Sequence, residues 1–300
     1  MVAAKFGEAN WQPKIPAPKP AVTETPIHLQ TRAHAPHHIM LQGKKIAVVM
    51  PGYFAEKTLA KTVAEIPKEI ADVIILSDDC SKDRTIEVAK EIGIEYHVNN
   101  PNLGYGGNVK QCLQYGLDSG ADIVILLHPD YQYSPVLIPA MAGMLLMDGT
   151  YDLVLASRTS GRGALSGGMP VWKYLANWFI TNYMDVCLGR RHTEYHTGYR
   201  AYSRRLLETI DFHGLSDDFI FDNNLLVAAV DYGFGTCEVT CPTRYEEDSS
   251  SISFKKALKY GILCLVIATK QFGRRWERKL SGEKSRLLQQ QEKEAEEAQS

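Results

Sequence analysis

Between residues 45 and 157, short apolar runs alternate with segments whose apolar residues recur at helical spacing, and this alternation restricts the fold most. Strand signals at 45–50, 73–76, 94–98, 123–127 and 152–156 are separated by helix signals at 56–66, at 85–92, from Gly104 onward and at 135–147. Strands joined through helices pair in parallel with right-handed crossovers. The expected fold is therefore α/β, a Rossmann-like, mainly parallel central sheet flanked by helices. The unbroken apolar run Ile123-Val124-Ile125-Leu126-Leu127 fits a strand buried on both faces.

The residues that stop these strands carry the chemistry. Pro51-Gly52 ends the first, and His128-Pro129-Asp130 ends the fourth, where Pro129 cannot donate to a ladder. Acids follow three strands: Glu56 after the first, Asp78 and Asp79 after the second, Asp130 after the fourth. In a parallel sheet those ends share one edge, the edge at which open α/β sheets bind ligands. Like charges gathered there need a cation or hydrogen-bond donors, and an oxygen-rich edge suits Mg²⁺ or Mn²⁺ bridging a diphosphate. Each acid also has a plainer reading. Asp130 can simply open a turn, and Asp78 or Asp79 can serve an N-cap or Asx turn through Ser81 and Asp83 as well as a base N–H or ribose hydroxyl.

Asn102-Leu103-Gly104-Tyr105-Gly106-Gly107-Asn108 stands between a strand and a helix, as phosphate-cradling loops do. It lacks the dinucleotide spacing and the P-loop lysine, so close packing accounts for its glycines better. Arg158 follows the fifth strand, and Arg200 and Arg204 lie in the second half. Guanidinium groups are natural partners of a departing diphosphate, with surface ion pairs as the ordinary alternative.

A formal net charge of −2 argues against a dedicated nucleic-acid binder. The six cysteines are scattered, which fits reduced thiols in a cytoplasmic protein. Residues 1–43 are rich in proline and histidine, lack the apolar core of a signal peptide, and are expected to form a disordered tail. Beyond residue 157 come a glycine-rich loop, an aromatic-rich helix at 172–188, a helix at 223–232 and a strand near 237–239. Residues 251–282 read as a basic amphipathic helix region, with Lys255, Lys256, Lys259, Lys270, Arg274 and Arg275 beside an apolar stripe. Its longest apolar run is far short of the roughly 20 residues a bilayer span needs. It can lie on an anionic membrane surface, making the protein peripheral at the cytoplasmic face, or pack on the domain with its lysines in water. Residues 283–300 read as a charged, solvated tail. The oligomeric state is not legible.

Six short motifs in order carry a resemblance. Pro51-x-Tyr53 resembles the opening of P-x-Y-N-E, and Asp78-Asp79-Cys80-Ser81-x-Asp83-x-Thr85 resembles D-D-x-S-x-D-x-T. His128-Pro129-Asp130-Tyr131-Gln132-x-x-Pro135 stands where D-A-D-x-Q-x-x-P is expected. Ala156-Ser157-Arg158 resembles G-S-R, Thr197-Gly198-Tyr199-Arg200-Ala201-Tyr202 resembles S-G-F-R-A-Y, and Pro242-x-Arg244-Tyr245 resembles P-V-R-Y. Together they resemble a family-2 glycosyltransferase of the GT-A fold, in the dolichyl-phosphate mannosyltransferase-like branch, with its domain at 44–250.

The resemblance implies a nucleotide-sugar donor (UDP- or GDP-sugar), a polyprenyl-phosphate acceptor and an inverting, in-line transfer. Pro51, Tyr53 and Asp79, with Glu56, Asp78 and Gly104 nearby, would bind the nucleoside. Asp130, helped by Gln132 and with His128 as a candidate imidazole ligand, would bind Mg²⁺ or Mn²⁺. Arg158, Arg200 and Arg204 would meet phosphates. Three departures stand out: His128 replaces the first acid of D-x-D, Glu56 falls one place late, and Asn224 replaces a glutamate, leaving Asp222, Asp217 and Asp218 as the nearest acids. A phosphate monoester needs no general base, so the third departure suits a lipid-phosphate acceptor; Asp222 keeps a glycan hydroxyl acceptor open. Loss of the first metal acid also leaves open a nucleotide-sugar-binding protein without transferase activity.

Overall fold

The computed structural model describes residues 41–147, 149–161, 163–166, 168–242, 244 and 254–289. The expected disordered tail up to residue 40, Tyr245 of the last motif and the final residues from 290 lie outside the described residues.

Strand β1 (Ile46–Gly52) is buried along its whole length and lies in the middle of the sheet. From it the chain runs through α1 (Leu59–Ala64), β2 (Val73–Asp78), α2 (Thr85–Glu91), β3 (Glu95–Val98) and α3 (Gly104–Asp118) to β4 (Ile123–Leu126). A 3₁₀ turn at Pro135–Leu137 leads into α4 (Ile138–Leu145) and β5 (Leu153–Ser157). Then follow α5 (Gly163–Ser166), α6 (Val171–Leu188), β6 (Arg200–Ser203), α7 (Arg204–Thr209), α8 (Phe221–Tyr232), β7 (Thr236–Thr240) and α9 (Phe254–Ser281).

The sheet order is β3-β2-β1-β4-β6-β5-β7. Every pairing is parallel except those of β6, which is antiparallel to β4 and to β5. The expected α/β architecture is therefore present, with two corrections. Strand β1 does not stop at Pro51 but pairs on through Pro51↔Ser77 and Gly52↔Asp78, because a proline at a strand end forfeits only its own donor. Strand β6 was not expected. It is four residues long and begins with a fully buried arginine, which breaks the apolar pattern by which strands are recognised.

Successive side chains of β1 enter opposite cores, as the two-residue period of a strand requires. Ala47 and Val49 join the layer beneath α3, α6 and α8, whereas Ile46, Val48 and Met50 join the layer beneath α1 and α4. Helix α9 packs along α6 and α8 through Cys264, Ala268 and Gln271, so one of its faces is docked on the domain. Among the described residues no helix is long and apolar enough to cross a membrane.

Candidate functional site

The ends of β1, β2 and β4 and the start of α8 bring most of the expected residues to one edge. At the end of β4 the His128 ring meets Tyr105, in the first turn of α3, with Nε2 3.2 Å from the phenol oxygen. Tyr105 donates to Asp222 Oδ2 at 2.6 Å. Since the single phenol proton goes to that carboxylate, His128 Nε2 is the donor to Tyr105, and its Nδ1 keeps a lone pair. Burial, then the Asp222 charge, pushes the Tyr105 phenol far above its usual range, so it stays protonated. Its ring stacks on Phe219 at 5.1 Å. Asp222 is almost wholly buried, and Oδ1 has no hydrogen-bond partner among the described residues.

Asp130 is half-buried and closes an Asx turn, its Oδ1 accepting from Gln132 N at 3.1 Å. The turn passes through Tyr131 at φ 60°, a left-handed conformation that a bulky residue adopts only when held. It is held from outside: the Tyr131 hydroxyl donates to Glu65, Arg244 pairs with Glu65 at 3.0 Å, and the Arg244 guanidinium sits 4.5 Å from the Tyr131 ring centre. Arg244 N also donates to Gln132 O at 3.1 Å. Asp130 Oδ2 carries no hydrogen bond among the described residues. Behind the turn, Tyr133 accepts from Gly198 N at 3.2 Å, and burial pushes its phenol up to about 12.

No group of three or more acidic, histidine or cysteine side chains suited to a metal is present among the described residues. A spare carboxylate oxygen on Asp130 and a spare imidazole nitrogen on His128 fit a divalent cation that takes its remaining ligands from a diphosphate and water.

The other expected residues are held differently. Asp79 is buried and caps α3, accepting from Leu103 N at 2.7 Å and Gly104 N at 3.0 Å. Asp78 accepts from both the N–H and the hydroxyl of Ser81, the Asx-turn reading; burial raises its pKa. Glu56 accepts from Arg84 N at 2.9 Å, at the start of α2. Pro51 is buried within β1, while Tyr53 just beyond it is 57% exposed and packs edge-on against Phe54.

The arginines correct the sequence expectation. Arg158 is buried against Glu194, its Nε 2.9 Å from Oε1 and its backbone N 2.7 Å from Oε2. Arg200 is fully buried and donates to three carbonyls, Thr197 O at 2.9 Å, Tyr195 O at 2.9 Å and Asp222 O at 2.6 Å. It clamps the Asp222 backbone instead of facing a ligand. Arg204 lies at the opposite edge of the sheet, donating to Ala121 O and Leu117 O, because antiparallel β6 carries it past the start of β4. Tyr105 and Glu194 were missed. Tyr105 stood inside a glycine motif whose spacing explained itself by packing, and nothing near Glu194 in the chain signals its distant partner.

A family model described as "Glycosyl transferase family 2" matches residues 47–211. The chain is similar to the undecaprenyl-phosphate mannosyltransferase of Micrococcus luteus, 24% identical over 57% of this chain and 71% of that one. It is also similar to the UDP-N-acetylglucosamine–dolichyl-phosphate N-acetylglucosaminyltransferase of Methanococcus voltae, 26% identical over 69% of this chain and 88% of that one. Among solved structures, glucosyl-3-phosphoglycerate synthase from Mycobacterium tuberculosis superposes with a TM-score of 0.57 at 20% identity, over 77% of this chain and 81% of that one.

Proposed function

The chain belongs to glycosyl transferase family 2, and from that premise we propose that it moves a sugar from a nucleoside-diphosphate donor to a polyprenyl phosphate with inversion. The observation that carries this reading is the Asp130 turn at the carboxyl end of β4, fixed from behind by Tyr131, Glu65 and Arg244 with one carboxylate oxygen to spare. Two relatives are named for polyprenyl-phosphate acceptors, and the solved synthase was crystallised with Mn²⁺ and UDP.

When bound, Mg²⁺ or Mn²⁺ would neutralise charge building on the departing diphosphate. Asp130, with His128 and Gln132 beside it, would hold the ion. The exposed Tyr53 ring would offer the base a stacking surface, in the way aromatic side chains receive bases. An acceptor oxygen attacks the anomeric carbon from the face opposite the diphosphate, the new C–O bond forming as the old one breaks. A phosphate oxygen needs no deprotonation.

A second reading has its own support. Asp222, which accepts from Tyr105 and whose Oδ1 has no partner among the described residues, would serve as the general base that a hydroxyl acceptor requires. Product analysis with polyprenyl phosphate against oligosaccharide acceptors decides between them.

Asp130→Ala should lower the melting temperature by no more than about 4 °C, since the side chain accepts a single hydrogen bond at a half-exposed turn. It should abolish transfer with Mn²⁺ present. Undiminished transfer by the variant, or by wild type in chelator, overturns the metal role of Asp130.

A further inference from the structure

Helices α6 and α9 run side by side, with Tyr183 hydrogen-bonded to Thr269 at 2.7 Å and Ile180 against Gly261. Each buries one face on the domain and leaves an opposite face bare. On α6 that face carries Val171, Leu175, Trp178, Phe179 and Val186, and Trp172 flanks it. On α9 it carries Leu258, Ile262, Val266, Phe272, Trp276 and Leu280. At 3.6 residues per turn each set falls within an arc of about 120°, so each is a single stripe. Trp178 is 59% exposed, Trp276 55% and Val186 70%. Three of the four tryptophans in the chain stand on this surface.

Isolated exposed apolar residues need no explanation, but two adjacent stripes of this length do. Their surroundings identify the occupant. Exposed Lys256, Lys259 and Lys270, with Arg274, lie along α9 to one side of its stripe, Arg275 and Lys279 lie to the other, and Lys255 stands at its N-terminal end, with Glu277 the one acid among them. Lysine is depleted in protein–protein interfaces. A tryptophan-, phenylalanine- and leucine-bearing face edged by lysine and arginine is the composition of a helix lying in the headgroup plane of an anionic bilayer. Neither helix can span one.

We infer that the paired faces of α6 and α9 form one membrane-docking surface for anionic lipid, lying flat with its tryptophans at the interface. The surface adjoins the site. Lys259 pairs with Asp218 at 2.6 Å, Lys256 lies 5.8 Å from the Phe219 ring centre, and Phe219 stacks on Tyr105. Docking would therefore hold the Asp222 side of the site at the lipid surface. This last step rests on the proposed lipid-phosphate acceptor; the docking itself does not.

The test is co-sedimentation of the full chain with vesicles of phosphatidylcholine, pure or with about 30% phosphatidylglycerol. Binding should require the anionic lipid and shift tryptophan emission to the blue. Trp178→Ser with Trp276→Ser should weaken it roughly tenfold or more, and Lys270→Glu severalfold. Both variants should keep wild-type transfer to a short, water-soluble polyprenyl phosphate. Absence of binding to the anionic vesicles overturns the inference. So does a dimer in sedimentation velocity that the tryptophan variant dissolves, which would make the face a self-interface. Vesicle binding without any transfer supports docking while refuting the acceptor reading, so the two fail separately.

Discussion

Two side chains invisible to motif reading decide how the site is held. Tyr105 ties His128 to Asp222, fixing the imidazole proton on Nε2 and turning the free carboxylate oxygen away from the phenol. Tyr105→Phe keeps the stack on Phe219 and removes only the hydroxyl. With a hydroxyl acceptor, which needs Asp222 as base, turnover should fall roughly 10- to 100-fold, below the 10²–10⁴ that a base itself contributes; with a phosphate acceptor, which needs none, it should stay near wild type. Wild-type turnover on both acceptors would leave Tyr105 a packing residue. Glu194 is the second. It neutralises Arg158 inside the protein, and removing one partner of a buried pair strands the other charge. Glu194→Ala should cost about 3–5 kcal/mol in urea unfolding; a cost below about 1 kcal/mol would mean that the guanidinium finds water or another anion.

Among the elements, α3 organises the site's far wall. Gly106 N donates to Asp217 O at 2.8 Å, and Lys110 Nζ reaches His213 O at 2.9 Å and Asp217 Oδ1 at 2.7 Å. The loop before α8 is thereby drawn onto the helix, and Asp222 with it. A Cβ at Gly106 would lie 2.6 Å from the Asp217 carbonyl carbon and the Ser216 oxygen, backbone atoms that cannot swing away. Gly106→Ala should therefore destabilise by about 1–3 kcal/mol, the usual range for overpacking, and lower turnover by displacing α8. Thermal and kinetic measurements on the one variant check both. This also settles the glycine motif. Gly104 N is spent on the Asp79 carboxylate and Gly106 on the loop, so the glycines serve packing and capping.

For the molecule as a whole, acid should loosen the fold through His196. Its Nδ1 is 3.1 Å from the Tyr260 hydroxyl of α9, and its enclosed Nε2 has no partner among the described residues. Burial holds its pKa down at about 4, against an ordinary 6.5; Glu194 opposes the shift, and Arg158 and Arg200 add to it. Between those values the unfolded chain binds a proton that the folded chain does not, so stability falls as pH drops from about 6.5 towards 4. The melting temperature should decline over that interval, and His196→Gln should flatten the decline. Parallel curves would mean that other groups carry the acid sensitivity.

Taken alone, the amino-acid order determined the α/β class, six of the seven strands to within a residue or two, and the carboxyl edge on which the acids gather. These follow from apolar periodicity and from proline and glycine stops, which are local properties of the chain. It also marked Asp130, Asp222 and His128. Tertiary structure alone decided which charges are spent. Arg158 and Arg200 are consumed by Glu194 and by backbone carbonyls, Asp79 by a helix N-terminus, and Arg204 is carried to the wrong edge by an antiparallel strand. It likewise decided that the aromatic face of α6 lies beside the stripe of α9. A side chain's charge is written in the sequence, but whether a distant partner neutralises it depends on contacts that bring residues tens of positions apart together, and no local pattern encodes those.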